Sequence, residues 1–308
     1  MEDFPYAWYR MRHHEGFDSP YIDNSKKHRE ELKAEIEHVL SRIGRDGPLS
    51  SADFGREGRV PERVANRILQ ILWDSGDVMV HHVEGNRRAY DLTGRVLPSG
   101  TELGRVTSEE YRRFMMLRHL RADGLADPRD PWRFGWHHMD GPERKQAVSV
   151  LLEEGTVLPV QVDGVKVPYY ILGEEAHLLD SDFSIPEGVL LIAPLDNLLW
   201  NRRMVREVFG FAYTWEIYMM PAKRTYGCYC LPMLHGTRFI GRADPRLDRE
   251  NKTMVFNGIF MEPGVDPPVA EIADALHGFS SYHGATRIEI LGTSPDGLKA
   301  RFKEALSK

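Results

Sequence analysis

The sequence predicts an α+β protein: two tandem units of three helices and a β-hairpin, followed by a C-terminal antiparallel β-rich domain. Three observations predict it. Helical apolar periodicity governs most of the first 180 residues, a hairpin pattern closes each of two helix triplets, and from Ile185 the pattern changes to strands. The division that follows is an arm at 1–24, a first unit at 25–97, a second at 98–180 and an α+β domain at 181–308.

The arm has no periodicity, yet it carries Tyr6, Trp8, Tyr9, Met11 and Phe17, so it is expected to lie over another part of the fold. Asn24 or Ser25 then serves as the N-cap of a helix with the apolar stripe Leu32, Ile36, Val39, Leu40 and Ile43. Gly47-Pro48 ends it. Leu49–Gly55 is a short second helix, and Pro61 starts a third that turns Val64, Ile68, Leu69 and Leu72 inward. Gly76 stops that helix, and Val78–Leu92 alternates as two strands turning at Glu84–Asn86. This order is the winged-helix pattern, a helix-turn-helix variant whose third helix can enter a groove.

The same order recurs. Thr107–Gly124 reads as a helix, Asp130–His138 as a short one, Gly141–Gly155 as a third, and Val157–Leu172 as a hairpin. At an offset of 79 residues, Leu72, Gly76, Val78, Val83, Gly85, Tyr90 and Leu92 correspond to Leu151, Gly155, Val157, Val162, Gly164, Tyr169 and Ile171. Each glycine falls where a helix must stop or a hairpin must turn.

Beyond Ile185 the expected strands lie at Val189–Leu195, Tyr213–Met220, Gly227–Leu234, Phe239–Asp244 and Thr253–Glu262, with a short helix at Asn201–Gly210. A helix, a strand and a last amphipathic helix finish the chain. The sheet is expected to be antiparallel and barrel-like.

Apolar content of 42% and charged content of 28% are those of a globular protein. No run approaches eighteen apolar residues, so no transmembrane helix is expected, and the N-terminus has no apolar core of a signal peptide. Cys228 and Cys230 are too close for a useful disulfide and read as reduced thiols on one face of a strand; the cytoplasm is the expected compartment. No phosphate-cradling P-loop, dinucleotide fingerprint or hydrolase elbow is present. The pairs His13-His14, His81-His82 and His137-His138 suggest no metal site, because neighbours on a strand face opposite ways. Neither metal nor cofactor is expected.

Charge is distributed unevenly. The span from Asp196 to Lys252 holds ten Lys/Arg against six acids, a net of +4 in a chain of net −6. Aromatic residues interleave with these cations. Two readings remain open: a face for a polyanion, or a mixed sheet with arginines lying over its surface. In the first unit, Arg63 and Arg67 sit one turn apart on the third helix with Asn66 between them, and Arg87 and Arg88 lie on the hairpin. These suit phosphate contacts, although residues 56–95 carry a net of only +1. In the C-terminal domain the candidates are Arg202, Arg203, Lys223, Arg224 and Arg242, with Tyr226 placed to stack or hydrogen-bond. Asp196, Asn197 and Asn201 are candidates for holding the turn into the short helix.

One stretch is specific enough to name a family. The segments Pro194–Arg203, Phe209–Phe211, Glu216–Tyr218, Pro221–Gly227, Leu231–Leu234 and Gly241–Asp244 resemble the signature of the YcaQ/AlkZ family of DNA glycosylases. Leu195 stands where the family has an aromatic, Asn201 where it has an acid, and Cys228 where it has an aromatic. The resemblance implies tandem winged helices with a C-terminal β-domain and a double-stranded DNA partner carrying alkylated or crosslinked bases. It further implies hydrolysis of the N-glycosidic bond of alkylated purines, interstrand crosslinks included, without a metal; a monomer is expected. The family's catalytic Gln-x-Asp or Gln-x-Gln lies in an N-terminal winged-helix unit. Asp3–Arg12 resembles the segment after that unit, so the catalytic triplet is expected to be missing from this chain. Gln161-Val162-Asp163 spells the triplet but falls on the second hairpin, and reads as coincidence.

Overall fold

The computed structural model describes Tyr6, Tyr9, His13 and residues 28–127, 129–130, 139–185 and 187–307. The chain is α+β and divides into two compact units, residues 1–119 with 131–150, and residues 120–130 with 151–308.

The first unit is built on α1 (Lys33–Asp46), α2 (Ser51–Glu57) and α3 (Glu62–Asp74), followed by β1 (Val78–Glu84) and β2 (Arg87–Leu92). Its core is the apolar stripe seen in the sequence. Ile36, Val39 and Ile43 meet Phe54, Ala65, Ile68, Leu69 and Leu72, closed by Val78 and Tyr90 of the hairpin. Val64 is only half-buried. A capping box between Ser50 and Asp53 starts α2, and the backbone of Leu49 bridges to Tyr90. Residues 24 and 25, the expected N-cap, lie outside the described residues, as do all but Asp130 of the helix expected at Asp130–His138 and most of the arm. Tyr6 and Tyr9 pack with Met79, Leu97, Trp73 and Val96 in a second small cluster.

Two more helices follow, α4 (Thr93–Val96) and α5 (Ser108–Asp123), then α6 (Gly141–Glu153) and a hairpin of β3 (Val157–Val160) and β4 (Tyr169–Leu172). Gly76 and Gly155, and likewise Gly85 and Gly164, all hold left-handed φ between 59° and 78°. The 79-residue correspondence survives through the first strand and then slips. Val78 pairs with Leu92, but Val157 pairs with Leu172, one residue beyond the expected Ile171. Accordingly, Tyr90 bridges to Leu49 while Tyr170, not Tyr169, bridges to Ala126. A bulge between Val80 and His82 in the first hairpin absorbs the residue that the second lets run into its return strand.

The second unit is organised on a six-stranded sheet. Its members are β5 (Val189–Leu191), β6 (Leu231–His235), β7 (Arg238–Asp248), β8 (Thr253–Met261), β9 (Arg287–Ile290) and β10 (Thr293–Ser294). Strands β5 to β8 are antiparallel, but β9 and β10 both pair parallel with β8. The sheet is therefore mixed rather than antiparallel. The cause is α9 (Val269–Tyr282), which carries the chain across the sheet and returns it in the same direction. Bulges at Met233/Leu234 and Asp244/Pro245 curl the long strands. The core lies between the sheet and the last two helices, where Met233, Ile240, Phe256 and Ile259 meet Ile272, Leu276 and Phe302.

One expected strand is absent and another is shortened to its second half, which is β6. Tyr213–Met220 holds a 3-10 turn at Glu216–Tyr218, and Gly227–Cys230 forms a turn before β6. Cys228 and Cys230 therefore do not share a strand face.

Candidate nucleic-acid interface

The non-strand backbone from Glu216 to Gly227 has a chemical cause. Glu216 is buried, and its carboxylate accepts the backbone N–H groups of Thr225 at 3.0 Å, Tyr226 at 2.9 Å and Gly227 at 3.0 Å. Amides held by a carboxylate cannot also join a ladder, and Pro221 has no N–H to offer. Burial alone would raise the Glu216 pKa, but the amides of Gly227, Tyr226 and Thr225, with Arg242, hold it below the usual carboxylate range.

Arg224 completes the frame from inside. Its Nε–H is shared by the carbonyls of Glu216 and Met219, at 3.2 and 3.1 Å, and Nη2 donates to Ile217 at 3.4 Å. The side chain expected to grip phosphate is thus half-buried and bound to its own loop. Gly227 closes the frame at φ 143°, where a Cβ would stand 2.2 Å from the Asp244 carboxylate. Only glycine fits there.

Arg242 is only 3% exposed. Its guanidinium lies 4.4 Å from the Phe211 ring centroid and 4.1 Å from that of Tyr226. One Nη donates to Glu262 at 2.6 Å and the other to the carbonyl of Ala212 at 3.2 Å. Its charge is neutralised inside the fold, not displayed on its surface. Tyr226 is half-buried, with its ring edge-on to Phe260.

What the frame displays is different. Tyr218 is 88% exposed and Met220 67%, with Lys223 also in solvent. Trp215 supports this edge, T-shaped against Tyr218 and Tyr229. It belongs to a cluster with Leu199, Val205, Phe211, Tyr213 and Phe239. That cluster also seats α8 (Arg202–Phe209), which buries Met204 and Val205 and leaves Arg202, Arg203 and Arg206 exposed. Asn201 caps α8 by accepting the N–H of Met204 at 3.0 Å, and Asp196 caps α7 (Asn197–Trp200) through Leu198 at 2.9 Å. Asn201 thus does structural work in the position where the signature carries an acid.

A polar network that no motif marked lies behind α8. Asp127 is buried and binds Arg129 at 2.7 and 3.0 Å; Arg129 reaches Glu207 at 2.6 Å, and the Tyr169 hydroxyl donates to Glu207 at 2.5 Å. Burial and the bond to Glu207 push the Tyr169 hydroxyl well above its ordinary pKa. Arg203 lies 3.5 Å from Asp127 and so joins this network. Its members span residues 127–207, too widely spaced for any sequence pattern to connect.

The first unit carries its own cations. Arg63, Asn66 and Arg67 are exposed on α3, and Arg87 and Arg88 open β2 in solvent. The Arg88 guanidinium stands 5.3 Å over the Trp73 ring. Arg63, Arg67, Arg87, Arg88, Arg202 and Lys223 enter no ion pair among the described residues. At the bulge the Nδ1 atoms of His81 and His82 stand 3.0 Å apart, so these two neighbours do not face opposite ways. Among the described residues no group of three or more His, Cys, Asp or Glu is arranged to hold a metal ion, and no helix is long and apolar enough to cross a membrane. Gln161, in the second hairpin loop, turns its amide onto the carbonyls of Val162 and Val165.

A family model described as "DNA glycosylase AlkZ-like" matches residues 1–282. Among solved structures the chain is similar to the Streptomyces sahachiroi DNA glycosylase AlkZ, with 15% identity and a TM-score of 0.55 over 94% of this chain and 77% of that one. At that identity the likeness is one of fold.

Proposed function

The chain belongs to the AlkZ-like DNA glycosylase family, and from that premise we propose that it is a DNA-repair protein that holds damaged duplex DNA through exposed arginines and lysines. One observation carries the reading. In a chain of net charge −6, six of the cations expected to meet phosphate are exposed and enter no ion pair among the described residues. Cations without an ion pair break no salt bridge when a phosphate arrives, and each contact releases counterions.

In this reading the helices and hairpin of 25–97 and those of 98–180 are two winged-helix units. Arg63 and Arg67 of the third helix and Arg87 and Arg88 of the hairpin meet the backbone in the first, with Asn66 toward base edges. In the C-terminal domain Arg202 and Lys223 meet phosphate. Arg202 and Arg203 occupy the first turn of α8, against the helix dipole, and a bound anion relieves that conflict. Arg203, Arg224, Arg242 and Tyr226 order these contacts from within. The chemistry is hydrolysis of the N-glycosidic bond of an alkylated or crosslinked purine, without metal or cofactor. A polar group must orient water and the enzyme must stabilise a cationic sugar.

A second reading is favoured by Gln161. The one Gln-x-Asp in the sequence turns its amide onto its own loop, so a non-catalytic DNA-binding module on the same scaffold is the alternative. A single experiment separates them. Titration of duplex DNA with and without 7-methylguanine at several salt concentrations should show salt-sensitive binding, with release of 7-methylguanine marking the glycosylase. Binding without release selects the second reading, and absence of salt-sensitive binding overturns both.

A further inference from the structure

We propose that Tyr218 is a stacking platform for a nucleobase that has lost its place in the helix, at a distortion in duplex DNA. The inference rests on the DNA-binding reading above and assigns a ligand group to one side chain.

Tyr218 is the most exposed large hydrophobic side chain among the described residues, at 88%, and its hydroxyl makes no hydrogen bond there. Exposed rings are ordinary on mobile loops, but this one is carried on a frame. Glu216, two residues before it, is tied to three amides; Arg224 is bound to the carbonyls of Glu216, Ile217 and Met219; and the double ring sandwich of Arg242 holds Tyr226 from below. Trp215 meets the ring in a T-shaped contact at 5.7 Å, and at 88% exposure most of the Tyr218 ring is left to solvent. Burying a carboxylate and a guanidinium is costly unless each is paired and hydrogen-bonded. Three amides meet the Glu216 carboxylate, and Glu262 and the carbonyl of Ala212 meet the two Nη atoms of Arg242, which leaves only its Nε without a partner among the described residues.

The occupant follows from the surroundings. Met220 adds a second exposed apolar group, while Lys223 stands five residues on and Arg202 and Arg206 lie on the helix seated in the same apolar cluster as Trp215. A flat apolar ring on a loop that also carries Lys223 fits a base between phosphates. In an intact duplex the base faces are already stacked on one another. Only an unstacked base has a face to give, so the platform discriminates distorted from regular DNA. The ring is positioned to read helix damage rather than to perform chemistry.

The test uses the full chain and two duplexes of one sequence, one fully paired and one with a single unpaired 2-aminopurine. The wild type should bind the second more tightly, by roughly 5- to 100-fold, and quench its fluorescence. Tyr218→Ala should abolish quenching and preference while leaving affinity for the paired duplex unchanged; Tyr218→Phe should keep both. Lys223→Ala should weaken both duplexes equally. Preference and quenching that persist in Tyr218→Ala overturn the proposal but leave the DNA reading intact. Failure of the wild type to bind either duplex overturns both.

Discussion

The carboxylate of Glu216 accepts the backbone N–H of Tyr226 at 2.9 Å, ten residues further along the chain. With the amides of Thr225 and Gly227 it fixes a loop that the residue pattern alone reads as strand. Glu216→Gln leaves one acceptor oxygen and turns an NH2 group toward N–H donors. The expected loss is about 2–3 kcal/mol of unfolding free energy, read from chemical denaturation. The effect should also depend on pH. A carboxylate whose folded pKa is depressed stabilises the fold fully above its ordinary value of 4.5, and this stabilisation is lost as pH falls through the lower folded value. The gap between wild type and Glu216→Gln should therefore be wide at pH 7 and narrow progressively as pH falls below 4.5; a gap that does not narrow at all in acid would show that the amides are not bound to a charged group.

Arg242 and Lys223 should separate by salt dependence. Lys223→Ala removes a surface cation and should reduce the salt slope of duplex binding by about one. Arg242→Lys keeps the charge but loses the planar stack between Phe211 and Tyr226. It should cost about 2 kcal/mol of stability and leave the salt slope unchanged. Arg242→Gln, which removes the charge, should also leave the slope unchanged, and a reduced slope in that variant would place the Arg242 side chain on phosphate.

In the first unit, Arg63→Ala with Arg67→Ala should lower the slope by about two without changing the melting temperature by more than a degree or so, since both side chains are exposed. Circular dichroism melts and binding titrations read the two effects separately.

Cys230 is buried, and burial pushes its thiol up to about 12. Native protein at pH 8 should alkylate first at Cys228, which is partly exposed, and at Cys230 only on unfolding. Mass spectrometry after a timed pulse of iodoacetamide distinguishes the sites; equal labelling of both would contradict the buried placement of Cys230.

Much of this protein was legible in the residues. The stripe Ile36, Val39, Ile43 and the inward Ile68, Leu69, Leu72 identify helices because periodicity records burial directly. Gly76 and Gly155, with Gly85 and Gly164, mark helix ends and hairpin turns because φ > 0 is a local demand. The signature from Pro194 to Asp244 is a matter of residue order and names the family.

Local pattern could not reveal where polar groups find partners across long separations. Glu216 looked like one charge among many until its amides were located, and Arg224 and Arg242 looked like surface cations until their carbonyls and rings were. The network of Asp127, Arg129, Tyr169 and Glu207 has no local pattern at all. The sequence by itself determined the helices and hairpins of the first unit, the turn glycines and the family, since these follow from periodicity, backbone conformation and residue order. Tertiary structure alone decided which charges stay in solvent, because a buried charge is stable only beside partners that the folded chain brings to it.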